Sequence, residues 1–170
     1  MSKFYQKVEL VANILIIVLA VAIGGILIQK YFFLSAAPSV NQQARLQPTI
    51  GTKMTAPDVD WSQQPKTLVL ALQASCHFCN ESAPFYKRVI EAVGDKNIKL
   101  VAVFPASVEE SALHLKKLGL TSMEVRESSL GSLQVSGTPT LILTNDKGEI
   151  TDYWVGKLTP DKEMEVLSQL

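Results

Sequence analysis

Ser75-Cys76-His77-Phe78-Cys79 contains the only two cysteines of the 170-residue chain. With two residues between them, one thiolate can attack a foreign disulfide and the other can release the mixed disulfide that results, which is the chemistry of a redox dithiol. The spacing by itself also suits half a zinc site or a buried structural disulfide. Its surroundings favour the redox reading. An apolar, β-rich run from Thr67 to Leu72 leads in, and a helical pattern from Asn80 to Val93 leads out. Cys76 is therefore expected at a helix N-terminus, where free backbone N–H groups and the helix dipole stabilise an anion.

Downstream of the dithiol, strand and helix patterns alternate. Gly94 is a candidate C′ residue for the first helix, and Ile98 to Phe104 is a continuous β-rich run of the kind buried on both faces in a parallel sheet. Ser107 to Gly119 predicts a helix: Ser107 and Glu110 form a capping box, Lys116 and Lys117 occupy the last turn, and Val108, Ala112 and Leu115 recur on one face. His114 falls off that stripe and is expected in solvent. A weaker strand at Met123 to Arg126 and a short helix at Ser128 to Gln134 follow. Thr140 to Thr144 and Glu149 to Val155 then make a hairpin about the turn at 145–148. Thr159 as N-cap and Pro160 at the first helical position open a terminal helix. The series implies an α/β domain with a mixed sheet covered by helices.

Upstream, Leu10 to Ile28 is apolar except for Asn13. At about 1.5 Å per residue it spans roughly 28 Å, the thickness of a bilayer core. It exceeds the apolar region of about 7 to 15 residues usual in a signal peptide. An uncleaved transmembrane anchor is expected, although Ser35-Ala36-Ala37 before Pro38 resembles a cleavage site. Gly24 and Gly25 are tolerated in such a helix, and Tyr31, Phe32 and Phe33 suit the aromatic band at its outer end. Lys3, Lys7 and the α-amine, against Lys30 and Arg45, place the N-terminus in the cytoplasm by a slight positive-inside bias. The rest would then face the periplasm or the cell exterior, a single-pass arrangement in the cell membrane. The expected organisation is a tail and anchor at 1–34, a Pro-, Gln-, Ser- and Thr-rich stalk and lead-in at 35–64, and a folded domain at 65–170. Within the lead-in, Ile50 to Val59 is expected to touch the domain, with Pro57 as a turn and Val59 and Trp61 as anchors.

Composition removes other chemistries. The 16 basic and 16 acidic side chains balance, so there is no net field to attract nucleic acid. Zinc would need two ligands beyond the cysteines, and His77 and His114 have no finger-like spacing, so no metal is expected. Covalent haem attachment places His directly after the second cysteine, and that residue is Asn80. Ala56-Pro57-Asp58 is redoxin-like, but Gln73 stands where a peroxidatic cysteine would be preceded by Thr or Ser. No glycine-rich phosphate loop follows any strand. Glu81 reads as a helix-start or surface charge.

From Thr67 to Leu170 the chain resembles the thioredoxin-fold superfamily. Cys76-His77-Phe78-Cys79 lies between strand and helix, and Pro84, eight residues after Cys76, falls where thioredoxins kink that helix. Gly137-Thr138-Pro139-Thr140 is similar to the cis-proline loop, with Gly148 and Gly156 following at the family's spacing. The separation of Cys76 from Pro139 exceeds that of a minimal thioredoxin by one strand-helix unit, assigned to Ile98–Gly119. This layout resembles the TlpA- and ResA-like branch, commonly anchored by one N-terminal helix and acting outside the cytoplasm as disulfide reductases, several in cytochrome c maturation. Two positions depart from the pattern. Leu70 stands six residues before Cys76, where thioredoxins carry a buried acid, and Ser75 stands where Trp is frequent.

The resemblance implies a thioredoxin-like fold with an inserted strand-helix unit, Cys76 as the exposed low-pKa nucleophile and Cys79 as the buried resolving thiol. The Cys76-Cys79 disulfide would be the only redox group, with no further cofactor. Thr138, across a cis bond to Pro139, would offer its backbone to an extended substrate. His77 and Phe78 would modulate the dithiol, His77 either by positive charge beside the thiolate or merely as an exposed spacer. The implied partners are protein thiol and disulfide substrates and a membrane or extracytoplasmic redox protein that recycles the dithiol. A thiol-disulfide oxidoreductase acting as a reductase is the leading reading. Oxidase or isomerase action by the same dithiol, or a noncatalytic binding or chaperone module on the same scaffold, are the alternatives.

Overall fold

In the computed structural model the described residues are Leu15, 46–55, 58–94 and 96–170. The chain divides into two units, Met1–Ala44 and Arg45–Leu170, and the described residues other than Leu15 belong to the second. The predicted anchor at Leu10 to Ile28 thus lies, Leu15 apart, outside the described residues, as do Ala56 and Pro57. Among the described residues no helix is long and apolar enough to cross a membrane.

The central strand β1, Lys66–Ala71, is Thr, Leu, Val, Leu and Ala after its first residue, and those five are buried, as expected of a strand with neighbours on both sides and cover on both faces. It runs parallel to β2, Ile98–Phe104, and antiparallel to β4, Thr140–Asn145. The short β3, Glu124–Glu127, and β5, Ile150–Val155, complete a mixed sheet in the order β3-β2-β1-β4-β5. Alternation along the strands splits the core in two. Leu68, Leu70, Leu100, Ala102, Phe104 and Leu141 join the cluster that takes Phe85, Tyr86 and Val89 from α2 (Ala83–Val93), Leu115 from α3 (Val108–Leu118) and Val166 from α4 (Pro160–Gln169). Val69, Ala71, Val101, Val103 and Ile142 join the other, which Met54, Val59, Leu133 and Val135 cover from segments without regular helix.

Several expectations shift by a definable cause. The helix expected from Asn80 to Val93 is two pieces, α1 (His77–Glu81) and α2, joined at Ser82. Pro84 has no N–H to give the Asn80 carbonyl and its ring crowds that turn, so the Ser82 N–H takes the carbonyls of Phe78 and Asn80 instead. The helix expected at Ser128 to Gln134 is a run of turns closed by Ser132 N–H to Ser129 O, Gln134 N–H to Gly131 O and Val135 N–H to Leu130 O, with Gln134 at φ 56°. A left-handed residue there ends any helical propagation. On α3, Ser107 caps through its Oγ and Gly119 closes in the left-handed region at φ 73°, but the stripe expected at Val108 and Ala112 is exposed. Ser111 and Leu115 are the buried residues of that helix. Gly94 is the C-cap of α2 without the left-handed geometry of a C′ glycine, and Thr159 caps α4 without a side-chain hydrogen bond.

The lead-in joins the sheet from Gly51, within the stretch expected to touch the domain. Gly51 N–H donates to Ile150 O and Met54 N–H to Gly148 O, so Lys53 bridges Glu149 beside β5. Trp61 then lies against Gly148, at φ 75°, where a Cβ would meet the indole at 2.9 Å. Both the left-handed backbone and the contact require glycine there.

Candidate active site: a thiol pair at the head of a helix

Cys76 is the N-cap of α1, with extended backbone at φ −78° and ψ 113°. An N-cap side chain accepts from the orphan N–H groups of the first turn, and Cys76 Sγ does so from the Cys79 N–H at 3.1 Å. The two-residue spacer is thus what a helical turn needs for the first sulfur to meet the amide of the second cysteine. On its other side Cys76 Sγ donates to the Thr138 carbonyl at 3.3 Å. The Thr138-Pro139 peptide is cis, and the loop is held by the Gly156 N–H on Pro139 O at 2.7 Å and by Thr140 Oγ1 on Gly137 O at 2.8 Å. The structure therefore brings Cys76, Cys79, Thr138 and Pro139 together.

The two thiols differ sharply. Both are free, Cys76 partly exposed and Cys79 buried. Partial burial opposes ionisation of Cys76, but hydrogen bonds from the Cys79 side chain, from Thr138 and from the Cys79 and Phe78 amides outweigh it, and its pKa lies below that of an ordinary thiol. Burial, then the Cys76 side chain, push the Cys79 thiol up to about 12. The surroundings of one sulfur favour its thiolate, and those of the other favour its thiol.

The side chains of His77 and Phe78 are exposed. The His77 side chain is 78% exposed, and its Nε2 lies 3.1 Å from Glu81 Oε1. The other Glu81 oxygen accepts from Lys157 Nζ at 2.9 Å, which, with His77, holds the Glu81 carboxyl below its usual range. Glu81, which reads from sequence as a plain helix-start charge, is the centre of this surface network. Phe78 is 53% exposed beside the dithiol.

Two residues escape the sequence reading. His114, expected in solvent, is half-buried: its Nε2 lies 3.0 Å from Asn80 Oδ1 and its ring meets Phe104 edge-on at 6.2 Å. The signal is the phase of α3, because the inward stripe begins at Ser111 and passes through 114 and 115. Tyr86 is 1% exposed in the cluster that holds Cys79, and no sequence signal separates it from an ordinary core aromatic. Among the described residues no three His, Cys, Asp or Glu side chains converge as metal ligands.

No family model and no curated protein matches the sequence. Solved structures do. A candidate thiol:disulfide interchange protein DsbE from Chlorobium tepidum superposes with a TM-score of 0.58 at 19% identity, over 72% of this chain and 96% of that one. A secreted Mycobacterium tuberculosis disulfide oxidoreductase homologous to E. coli DsbE gives 0.54 at 20% identity, over 75% and 99%. StoA from Bacillus subtilis gives 0.52 at 19% identity, over 77% and 98%. Identities at this level speak for architecture, and the architecture of the described residues from 46 onward is the thioredoxin fold.

Proposed function

We propose that this chain is a thiol-disulfide oxidoreductase that reduces disulfides of protein substrates through Cys76 and Cys79. The observation that carries the reading is the asymmetry of the pair: a low-pKa sulfur capping a helix, and a buried thiol whose own amide donates to it. In the first step the Cys76 thiolate attacks one sulfur of the substrate disulfide. A Cys76–substrate bond forms, and the other substrate sulfur leaves with the bonding electron pair and takes a proton from solvent. Cys79 then loses its proton and attacks Cys76 Sγ, forming the Cys76-Cys79 disulfide and releasing the second substrate thiolate. The substrate gains two electrons and the dithiol loses them. Thr138 and Pro139 line the approach, and the exposed Phe78 offers an apolar contact beside it.

The reductive direction is favoured by His77. A cationic imidazole turned to the thiolate would stabilise the dithiol and make its disulfide oxidising. Here the ring is exposed and engaged by Glu81, which offsets any positive charge. A dithiol–disulfide partner in or outside the membrane would return the electrons.

We assign residues 1–34 to an N-terminal membrane anchor, 35–64 to a stalk and lead-in, and the domain to the extracytoplasmic side. Support comes from the apolar run at Leu10 to Ile28 and from the secreted Mycobacterium relative. A tether of this kind restricts the domain to substrates near the membrane.

Trapping tests the catalytic reading. Cys79→Ser accumulates a mixed disulfide with a disulfide-bonded protein substrate, visible by mass spectrometry at Cys76, whereas Cys76→Ser neither traps nor reduces it. Equal behaviour of the two variants would remove the reading.

A further inference from the structure

The amide that serves Cys76 Sγ belongs to α1, a helix with few means of holding its own direction. It has five residues and is cut from α2 at Ser82, so it does not inherit the orientation of the longer helix. The buried Cys79 side chain anchors it in the core. Among the described residues, two side-chain hydrogen bonds tie it sideways to other elements. Lys157 Nζ donates to Glu81 Oε2 at 2.9 Å, but both side chains are exposed, and a surface pair of that kind contributes little. On the other flank, His114 Nε2 on α3 meets Asn80 Oδ1 at 3.0 Å. With the Nε2–H tautomer the ring donates and the Asn80 carbonyl accepts. His114 is half-buried on the inward stripe of α3, with Ser111 and Leu115, and its ring stands T-shaped against the buried Phe104. Phe104 ends β2, and the preceding Val103 carbonyl takes the Leu72 N–H just upstream of the dithiol. Packing alone would be served there by an aliphatic side chain; the imidazole adds a polar atom directed at α1. Asn80 directly follows Cys79, so the contact bears on the turn whose Cys79 N–H reaches Cys76 Sγ at 3.1 Å.

We propose that His114 is a positioning residue for the dithiol: through Asn80 it holds α1 in the direction that keeps the Cys79 N–H on Cys76 Sγ, and thereby supports the Cys76 thiolate. The role rests on the oxidoreductase reading above and concerns its first step, the attack by Cys76. A hydrogen bond to a sulfur anion weakens steeply as the donor turns away from it, so a small rotation of a five-residue helix is enough to matter. His114 takes no proton and touches no substrate in this role. Its effect is carried by the Asn80 side chain and the turn that includes Cys79.

The test follows alkylation of Cys76 by iodoacetamide in the full, reduced chain between about pH 5 and about pH 10, scored on the Cys76 peptide. Asn80→Ala removes the acceptor at an exposed position and places a better helix former in α1. It is expected to raise the midpoint of the profile by about half a unit, which lowers the thiolate population about threefold below the midpoint. If α1 held itself, the better helix former would leave the midpoint in place or lower it. His114→Leu keeps an apolar side chain against Phe104 but has no polar atom, and should raise the midpoint equally. His114→Gln, whose terminal amide reaches about as far as Nε2, should restore the midpoint of the unaltered chain, a rescue that a packing role does not produce. Asn80→Ala and His114→Gln carry the test by themselves where His114→Leu does not fold. An unmoved or lowered midpoint in Asn80→Ala, or a rise in His114→Gln as large as that in Asn80→Ala, overturns the His114 role and leaves the oxidoreductase reading standing. A Cys76 midpoint in the unaltered chain no lower than that of a free thiol overturns both.

Discussion

Selective alkylation of the reduced domain at neutral pH follows from the two sulfurs' surroundings. Consider iodoacetamide at pH 7 in short pulses, with each cysteine scored by peptide mass spectrometry. Cys79, pushed up to about 12, is thiolate in about one molecule in 100,000 at that pH. An ordinary thiol of pKa about 8.5 is thiolate in about 3% of molecules at that pH, and the surroundings of Cys76 shift it toward the thiolate. Against an ordinary thiol the Cys79 population is lower by about 3,000-fold. Intrinsic nucleophilicity rises with basicity at a Brønsted slope of about 0.4–0.5, which over some 3.5 units restores about 40-fold to Cys79. An ordinary thiol would thus be preferred by about 80-fold, and the lowered pKa of Cys76 adds to that preference, before counting the steric protection of a sulfur that is 2% exposed. Equal labelling, or labelling of Cys79 first, would refute the electrostatic argument, because no smaller difference in environment is consistent with one sulfur capping a helix and the other buried beneath it.

Perturbations at His77, at Gly148 and in pH probe other features of the domain. His77→Ala should move the pH midpoint of Cys76 alkylation by less than about half a unit, because the exposed ring already faces Glu81; a larger shift would restore an electrostatic role for it. Gly148→Ala should lose about 1–3 kcal/mol in urea unfolding, since φ 75° and an indole at 2.9 Å both oppose a Cβ; an unchanged midpoint would contradict the packing of Trp61 there. Stability of the reduced domain should depend on pH with two limbs. Cys76 has a lowered folded pKa, so its contribution grows as pH rises toward the unfolded thiol value of about 8.5; Cys79 has a raised one, so its contribution falls from about 8.5 upward to about 12. Chemical unfolding of reduced protein across that range checks both limbs, and Cys79→Ala should flatten the descending one.

The residues that disclosed the fold are those whose local chemistry admits one arrangement. Thr67 to Leu72, Ile98 to Phe104 and Thr140 to Thr144 read as strands because unbroken β-branched and apolar runs of that length have few other uses, and β1, β2 and β4 occupy them to within a residue. Ser107 and Gly119 marked the ends of α3 through a cap and a left-handed terminus. Cys76 at a helix start followed from the strand and the helix pattern on either side of it. What stayed hidden depends on tertiary context. The rotation of α3 about its axis decides whether His114 or Ala112 faces inward, and three apolar residues on a short helix define that angle loosely. Between residues 128 and 135 the serines and Gly131 suit turn and helix equally, and only the position of Gln134 at φ 56° separates them. The burial of Tyr86 is hidden as well, because an aromatic at a buried helical position is ordinary.

If Cys76 and Cys79 form a working redox couple of reducing character, their reduction potential shows it. The measurement equilibrates the domain against glutathione or dithiothreitol buffers and quantifies free thiols. Full exchange is expected, with a potential between those of thioredoxin and protein disulfide isomerase, about −270 to −180 mV. A potential near −120 mV would contradict the reductive direction, and a bridge that fails to equilibrate or lies below about −300 mV would contradict the oxidoreductase itself.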